Sequence, residues 1–396
     1  MDKNQIKNIS AQLKDIAKDL SFLSRPVYEK SKLINLFPQH LDFIQELQDS
    51  DNPLMTNSED KMNKINQVRH EIIKSELDLS LKGIFEKRLE DYESMIIMMN
   101  HYQGPEFFNQ CLKLYGSSHE FIKDQNFLNF LNDIDSLCKY ENKDIQIIGK
   151  DSVDYLQKKI NTDFPDAQIE VRPSHSLLSD SSAGRKVLKI NIHKNYTQDQ
   201  LNIFLAHEGW AHLGTSLNGA FQEMHPWLGT WAPSTTRLQE GLAIITELVS
   251  GYMTKERWQK IQLRHLATAM AEQGSSITEI YEFICDHQIA PLDAFKLSLR
   301  IFRGVPIQGG MAFTKELLYL HGLIDLLKTI SIHELTLKSF WVGKMSFNEH
   351  LYLSKNGELN KDILLTYFPA QLETQEAILR QGHLIQIAKK NFNFGD

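Results

Sequence analysis

The chain lacks the features that mark membrane-spanning, secreted and nucleic-acid-binding proteins. No apolar run in its 396 residues approaches the roughly 18 that a membrane-spanning helix needs. The segment that begins at Met1 shows no signal-peptide core, and the net charge of -7 is the opposite of the basic excess typical of nucleic-acid binders. We therefore expect a cytoplasmic protein with neither a membrane nor a nucleic acid as partner. The sequence leaves export into a host cell open.

Cysteine is scarce as well. Cys111, Cys138 and Cys285 are far apart in the chain and form no CxxC pair. An odd number of dispersed cysteines is typical of reduced thiols in a cytoplasmic protein. We expect these side chains to fill the core and not to bind metal.

The sequence is rich in helical periodicity, which short strand-like segments interrupt once. Up to residue 143, apolar residues recur at spacings of three and four, which predicts packed helices. From residue 144, segments rich in β-branched residues predict a small sheet before the helical pattern resumes. The predicted elements are helices near 6–23, 41–47, 65–79, 84–99, 107–115, 120–140 and 153–164, a polar loop at 49–60, and strands at 145–148, 168–171 and 187–192.

The motif with the clearest chemistry lies at 207–212, with the sequence His-Glu-Gly-Trp-Ala-His. A capping box of Thr197 and Gln200 predicts that its helix begins near Gln198. Two imidazoles from this helix and a carboxylate from a second helix are enough to hold zinc with an open coordination position. Glu208 would then be the base that acts on the water. The alternative is a pair of histidines hydrogen-bonded within a core.

The spacing of the two histidines poses a geometric problem. Positions five apart lie about 140° apart around a regular α-helix, so His207 and His212 would point in different directions. A π-type bulge adds one residue to the turn and restores their alignment, and Gly209 tolerates such a distortion. We therefore predict a π-bulge between the two histidines.

The second helix contains the segment 239–243, Gln-Glu-Gly-Leu-Ala. Thr236 and Gln239 have the pattern of a capping box, which predicts Glu240 in the first turn. A carboxylate beside so apolar a stretch needs a partner, because burying it unpaired is costly, and a metal ion would be one. Glu247 lies two turns later on the same face. It is either an acceptor for the N–H of a ligand histidine or a surface carboxylate.

Together these motifs resemble those of the QEGLA-motif bacterial proteins. Such proteins are often labelled flavohaemoglobin-expression-modulating proteins and are related to the microtubule-associated tyrosine carboxypeptidases of animals. The similarity is firm from about Val187 to Leu326 and weak in the N-terminal helices. The matching segments are His207-Glu208-x-x-x-His212, Thr215-x-x-Asn218-Gly219-x-x-Gln222, Gln239-Glu240-Gly241-Leu242-Ala243-x-x-x-Glu247, Arg300-Ile301-Phe302-Arg303-Gly304 and Gly309-Gly310-x-x-Phe313-Thr314-Lys315-Glu316-x-x-Tyr319-Leu320-x-Gly322.

The resemblance implies a ligand set and an activity. His207, His212 and Glu240 would be the zinc ligands and Glu208 the catalytic base. The implied reaction is removal of a C-terminal residue, which is tyrosine in the animal members. Position 321 is histidine here, where much of the family has an acidic residue.

A carboxypeptidase has to bind the free carboxylate of its substrate, usually with arginine or lysine. Arg300 and Arg303 share one face of a helix predicted from Pro291 to Gly304, and with Lys315 they are our candidates for substrate binding. The alternative for such a row of cations is a solvated charged face. Tyr319 is a candidate donor to the oxyanion, or else a core tyrosine.

We predict an α+β, mostly helical fold, with a zincin-like metallopeptidase core and a small sheet wrapped by N- and C-terminal helices. An N-terminal helical region at 1–143 and a zinc metallopeptidase catalytic region at 144–396 would form one compact unit. The predicted enzyme is a zinc-dependent carboxypeptidase, a hydrolase with one Zn²⁺. Its partner would be a peptide or protein C-terminus, and an acidic tail is one such substrate.

Three alternatives differ from this prediction in class. A zinc-binding regulatory protein without hydrolytic activity has no need of a base, so the intact Glu208 favours chemistry. A zinc aminopeptidase or dipeptidyl peptidase needs an acidic anchor for the substrate amine, whereas arginine and lysine lie near these motifs. A di-iron protein needs a Glu-x-x-His pair on each of two helices. Glu208 and His212 are four apart, and Glu240 has no histidine three residues later.

Overall fold

A computed structural model describes residues 3–18, 20, 58–120, 124–175, 177, 179–184, 186–357, 359 and 365–392. Within this part the chain is mostly helical with a small sheet, which confirms the α+β class. The helix predicted at 41–47 and most of the loop predicted at 49–60 lie outside the described residues. Of the described helices, none combines the length and the apolar character that crossing a bilayer requires.

The helices before the sheet follow the apolar periodicity of the sequence. Buried positions such as Ile6, Ile9 and Leu13 recur at three and four residues along the first helix, as expected for one packed face. The second described helix begins at Ser58, inside the predicted loop. Glu59 and Asp60 lie in its first turn, where their negative charges interact favourably with the helix dipole. The helices are α1 Lys3–Ala17, α2 Ser58–Lys74, α3 Leu79–Asn100, α4 Pro105–Tyr115, α5 Gln125–Asp135 and α6 Asp151–Asp163.

The strands form two small ladders. β2 runs parallel to β4, and β3 pairs antiparallel with the other side of β4. The three predicted strands are present with shifted bounds, whereas β3 and β5 were not predicted. β3 is an edge strand and packs against the helix that contains the motif at 207–212, which it meets through Ser181. The strands are β1 Gln146–Ile147, β2 Glu170–Ser174, β3 Ser181–Ala183, β4 Val187–Asn191 and β5 Tyr196–Thr197.

After the sheet the chain is helical again. The elements are α7 Gln198–Phe204, a π-helical segment Leu205–Leu213, α8 Gly214–Ala220, α9 Pro233–Val249, α10 Lys255–Glu272, α11 Ile277–Asp286, α12 Pro291–Ile301, a 3₁₀ turn Thr314–Leu317, α13 Leu318–His333, α14 Phe347–Lys355 and α15 Gln375–Phe392. Two hydrophobic clusters underlie these helices. One is centred on α3, α4, α11 and α12, and the other on the sheet, α7, α9 and α13.

A buried ion pair links the N-terminal helices to the rest of the chain. Arg88 of α3 is 0 % exposed, and its Nε lies 2.6 Å from Oε1 of Glu349 in α14. Its remaining N–H donors reach the second oxygen of Glu349 and the carbonyls of Trp227, Thr230 and Lys344. A buried charge is tolerated only when its donors are matched in this way. The division of the chain at residue 143 stays a prediction.

Helices α9 and α13 touch backbone to backbone at two glycines. A Cβ atom on Gly241 would lie 2.2 Å from the carbonyl carbon of Gly322, and a Cβ on Gly322 would lie 2.1 Å from the carbonyl oxygen of Arg237. Glycine alone permits so close an approach of two backbones. The glycine of the Gln-Glu-Gly-Leu-Ala segment is therefore a packing requirement. It brings Glu240 close to the helix that contains Tyr319.

We expect Gly241→Ala to lower the free energy of unfolding by about 1–3 kcal/mol, because the added methyl group forces the two helices apart. Urea unfolding measures the change. Gly83→Ala in α3 is the matched control, since a Cβ there meets nothing within 4 Å. Alanine in that open helical position should be neutral or stabilising by up to about 1 kcal/mol. Equal stability of the two variants would contradict the tight contact.

Candidate metal centre

The motif at 207–212 lies within the π-helical segment Leu205–Leu213. This confirms the predicted π-type distortion, which extends over more than one turn. The capping box of Thr197 and Gln200 is also present, and the helix begins at Gln198 as expected. The wider turn brings the rings of His207 and His212 edge to face, with their centroids 4.9 Å apart.

Glu240 reaches the two histidines from the third turn of α9. The prediction that Thr236 and Gln239 cap this helix is wrong, because the helix begins at Pro233. The fixed φ of proline favours the first helical position. Oε2 of Glu240 lies 3.6 Å from Nε2 of His207 and 3.9 Å from Nε2 of His212. Both distances exceed a hydrogen bond, and this buried oxygen accepts none.

These three side chains together could hold a metal ion. Their ligand atoms lie within 4.8 Å of one another. Ligands at about 2.1 Å from a tetrahedral zinc are separated by about 3.4 Å, so the observed spacings need only a small contraction. Two imidazole nitrogens and an unpartnered, buried carboxylate oxygen around one point are the donor set of a metal site with one position left for water or substrate. His207, His212 and Glu240 therefore fit such an ion.

The electrostatics of the cluster favour a positive charge at this point. Burial alone would lower the pKa of His207, but the carboxylates of Glu240 and Glu247 outweigh it and raise that pKa to about 10. Burial and the neighbouring His207 lower the pKa of His212 to about 3. Burial opposes the ionisation of Glu240, yet Lys315 and the two histidines hold its pKa well below the usual range. A cation can supply the charge that His207 otherwise takes up as a proton.

Glu247 is fully buried and is not a surface carboxylate. Its Oε1 lies 2.7 Å from Nδ1 of His207, the acceptor position considered in the sequence analysis. Arg257 donates to both oxygens of Glu247, from Nε at 3.0 Å and from Nη2 at 2.9 Å. This chain of contacts fixes the His207 ring with Nε2 towards Glu240. Such a partner orients a ligand histidine and increases its basicity.

Glu208 points from the same π segment towards the edge strand β3. Its Oε1 accepts a hydrogen bond of 3.4 Å from the Ser181 hydroxyl, and the backbone of Ala183 provides another. Burial raises the pKa of Glu208, although these bonds and His207 oppose the shift. A carboxyl group with a raised pKa beside the cluster suits proton transfer near neutral pH.

The structure brings Tyr319, Lys315 and Arg300 together beside His207. The Tyr319 ring stacks near that of His207 with a centroid separation of 6.1 Å. Lys315 Nζ donates to Oε1 of Glu240 at 2.7 Å. Arg300 donates to Oε1 of Glu316 from two nitrogens, at 3.0 and 2.8 Å, and its Nη2 lies 3.4 Å from the Tyr319 hydroxyl. Both cations are therefore already paired with a carboxylate.

Arg303 lies elsewhere along the same stretch of chain. It is buried and lies within electrostatic reach of Tyr102, which follows α3. Burial raises the pKa of Tyr102 to about 12, and the charge of Arg303 opposes that shift. Arg303 thus faces the N-terminal helices.

Four charged residues of the site were not identified from the sequence. Arg257 pairs with Glu247, Arg264 lies 3.7 Å from Glu316, and the Arg264 guanidinium lies 5.0 Å from the centre of the Tyr319 ring. Burial lowers the pKa of the fourth residue, Lys344, to about 8, while Glu240 and Glu208 oppose the shift. Arg257 and Arg264 are seven residues apart and so share one face of α10. The spacing of these two arginines on one helical face was the available signal.

The chain is also similar to a known protein family. The model of one family, described as microtubule-associated tyrosine carboxypeptidase, matches residues 43–376. The match includes every residue of the cluster and its surroundings named above. No curated protein matches the chain. Since the family match extends over most of the 396 residues, the chain belongs to the microtubule-associated tyrosine carboxypeptidase family.

Proposed function

We propose that the chain is a zinc metallocarboxypeptidase that removes the C-terminal residue of a peptide or protein, with tyrosine as the first residue to test. The observation that supports it most directly is the buried cluster of His207, His212 and Glu240 with Glu208 beside it. Family membership supports the class of reaction. We also propose a zincin-like core, because a small sheet with an edge strand precedes the helix that contains the first two ligands.

In this mechanism His207, His212 and Glu240 would hold the ion. Zinc, when bound, polarises the scissile carbonyl and makes a water molecule more acidic. Glu208 accepts the proton of the attacking water and delivers it to the leaving amine. Burial raises the pKa of Glu208. This shift brings its proton affinity closer to those of the attacking water and the leaving amine.

The neighbouring side chains have supporting roles in the proposal. The Tyr319 hydroxyl donates to the oxyanion that develops on the scissile carbonyl. Lys315 fixes the orientation of Glu240 through the 2.7 Å contact. The substrate-binding roles of Arg300, Arg303 and Lys315 stay predictions.

The charges around the cluster favour a carboxypeptidase over an aminopeptidase. An aminopeptidase needs a carboxylate that is available for the substrate amine. Among the described residues around the cluster, Glu240 pairs with Lys315, Glu247 with Arg257, and Glu316 with Arg300. Apart from Glu208, the proposed base, these carboxylates are therefore engaged by cations of the protein itself.

We expect Glu208→Gln to retain stoichiometric zinc and to lose about 10³-fold or more in turnover, because glutamine cannot accept the proton of the attacking water. Mass spectrometry of a peptide that ends in tyrosine, incubated with zinc-loaded protein, measures the loss of one terminal residue. Glu373→Gln is the matched control, since Glu373 is an exposed residue of the surface pair with Lys338.

Trimming by the wild-type protein and by Glu373→Gln, but not by Glu208→Gln, supports the proposal. Equal trimming by Glu208→Gln would contradict the role of Glu208. Stoichiometric zinc binding without trimming across a library of C-termini would replace the proposal with a zinc-binding regulatory protein.

We expect Glu247→Gln to weaken zinc binding by about 10- to 100-fold, because the His207 ring loses its anionic partner. Competition with a chromophoric chelator measures the dissociation constant. Glu373→Gln again serves as the control and should bind zinc as the wild type does. Unchanged affinity of Glu247→Gln would show that the contact with Glu247 does not support a ligand.

A further inference from the structure

Arg264 is a largely buried arginine whose guanidinium makes no hydrogen bond with the described residues. Its side chain is 13 % exposed, and its Nε is buried without a hydrogen-bond partner. Among the described residues, the carboxylate within 4.0 Å of its guanidinium is that of Glu316, at 3.7 Å from Nε to Oε2, which is beyond a hydrogen bond. Buried arginines normally have their donors satisfied, as all those of Arg88 are. Arg264 therefore has donors available for a ligand.

The local charge count also leaves room for an anion. Arg264 and Arg300 share the single carboxylate of Glu316, and Arg300 takes up its Oε1 with two N–H groups. Oε2 of Glu316 accepts no hydrogen bond. Burial and repulsion from Arg300 lower the pKa of Arg264, as expected for a cation whose charge is incompletely balanced. One more carboxylate would balance the three groups.

Arg264 and the metal cluster share a neighbour, Tyr319. Its guanidinium is 5.0 Å from the centre of the Tyr319 ring, and that ring stacks beside His207. Tyr319 therefore contacts both Arg264 and a residue of the cluster. In the substrate of a carboxypeptidase, the terminal carboxylate follows the scissile carbonyl by one residue, or about 3.8 Å. A substrate with its scissile carbonyl beside His207 and Tyr319 can thus place its carboxylate towards Arg264.

We propose that Arg264 binds the C-terminal carboxylate of the substrate through its free guanidinium donors and thereby selects the terminal residue for removal. This inference rests on the carboxypeptidase function proposed above. It assigns the anchor to a residue outside the set of Arg300, Arg303 and Lys315. Arg300 acts as a positioning residue, because its contacts with Glu316 and Tyr319 fix the surroundings of Arg264.

The first test measures binding without turnover. A fluorescent peptide that ends in tyrosine is prepared as the free acid and as the amide, and each is titrated into zinc-loaded Glu208→Gln protein. We expect the acid to bind at least about 10-fold more tightly than the amide, since a charge-assisted pair is lost in the amide. We expect Arg264→Met in the same background to abolish this difference and Arg264→Lys to restore part of it. Arg172→Met is the matched control, because Arg172 is an exposed arginine on β2.

The second test measures turnover of the same two peptides with Glu208 intact. We expect Arg264→Met to lower kcat/KM for the acid by about 100-fold, mostly by raising KM. We expect kcat/KM for the amide to change by less than about threefold. Thermal unfolding of Arg264→Met and Arg264→Lys checks that both variants are folded. Lys344→Met is measured in parallel, because Lys344 is a second cation near the cluster and forms no hydrogen bond or ion pair through its ammonium group among the described residues.

The outcomes separate this inference from the proposed function. If Arg264→Met lowers kcat/KM equally for the acid and the amide, Arg264 has a structural role and the inference is overturned. An unchanged ratio of acid to amide affinity in the binding test would also overturn it. Loss of the discrimination in Lys344→Met alone would overturn it in favour of Lys344. If the wild-type protein trims neither peptide, the proposed function fails, and the binding test still decides whether Arg264 recognises a terminal carboxylate.

Discussion

The backbone contact between Gly241 and Gly322 is the constraint on which the site depends. Glu240 precedes one of these glycines, and Tyr319 lies one turn before the other. The crossing of α9 and α13 therefore sets the distance between the carboxylate of Glu240, which we propose as a metal ligand, and the ring that stacks on His207. Any larger side chain at the crossing separates these two groups. The site is thus built on helices in close contact, which fix the positions of side chains more precisely than loops do.

The second feature of the site is its alternation of buried charges. Positive and negative side chains follow one another from the cluster outwards, through Glu247 to Arg257 on one side and through Lys315, Glu316 and Arg300 on the other. In a poorly solvated interior each of these groups is tolerated because its neighbour has the opposite sign. The alternation is incomplete at two places, namely the unpartnered oxygen of Glu240 and the unused donors of Arg264. A cation would complete the first and an anion the second, as the proposed function requires.

The parts of the site that sequence predicted are those with local causes. The capping box at Thr197 and the π distortion follow from neighbouring residues and from a spacing of five. The start of α9 was misplaced because two local signals compete there, and proline at 233 prevails over the capping pattern at Thr236. β3 has no strand propensity in its Ser-Ser-Ala sequence and forms because β4 offers an edge for pairing. Arg264 and Glu316 are brought together by tertiary packing, which periodicity does not reveal.

The central claim is that His207, His212 and Glu240 hold one zinc ion beside Glu208. Anomalous diffraction at the zinc absorption edge, from crystals grown with one equivalent of zinc, tests it most directly. The account predicts a single strong peak about 2.0–2.2 Å from Nε2 of both histidines and from an oxygen of Glu240. A peak bound by other side chains, or no ordered peak at this cluster, would contradict it.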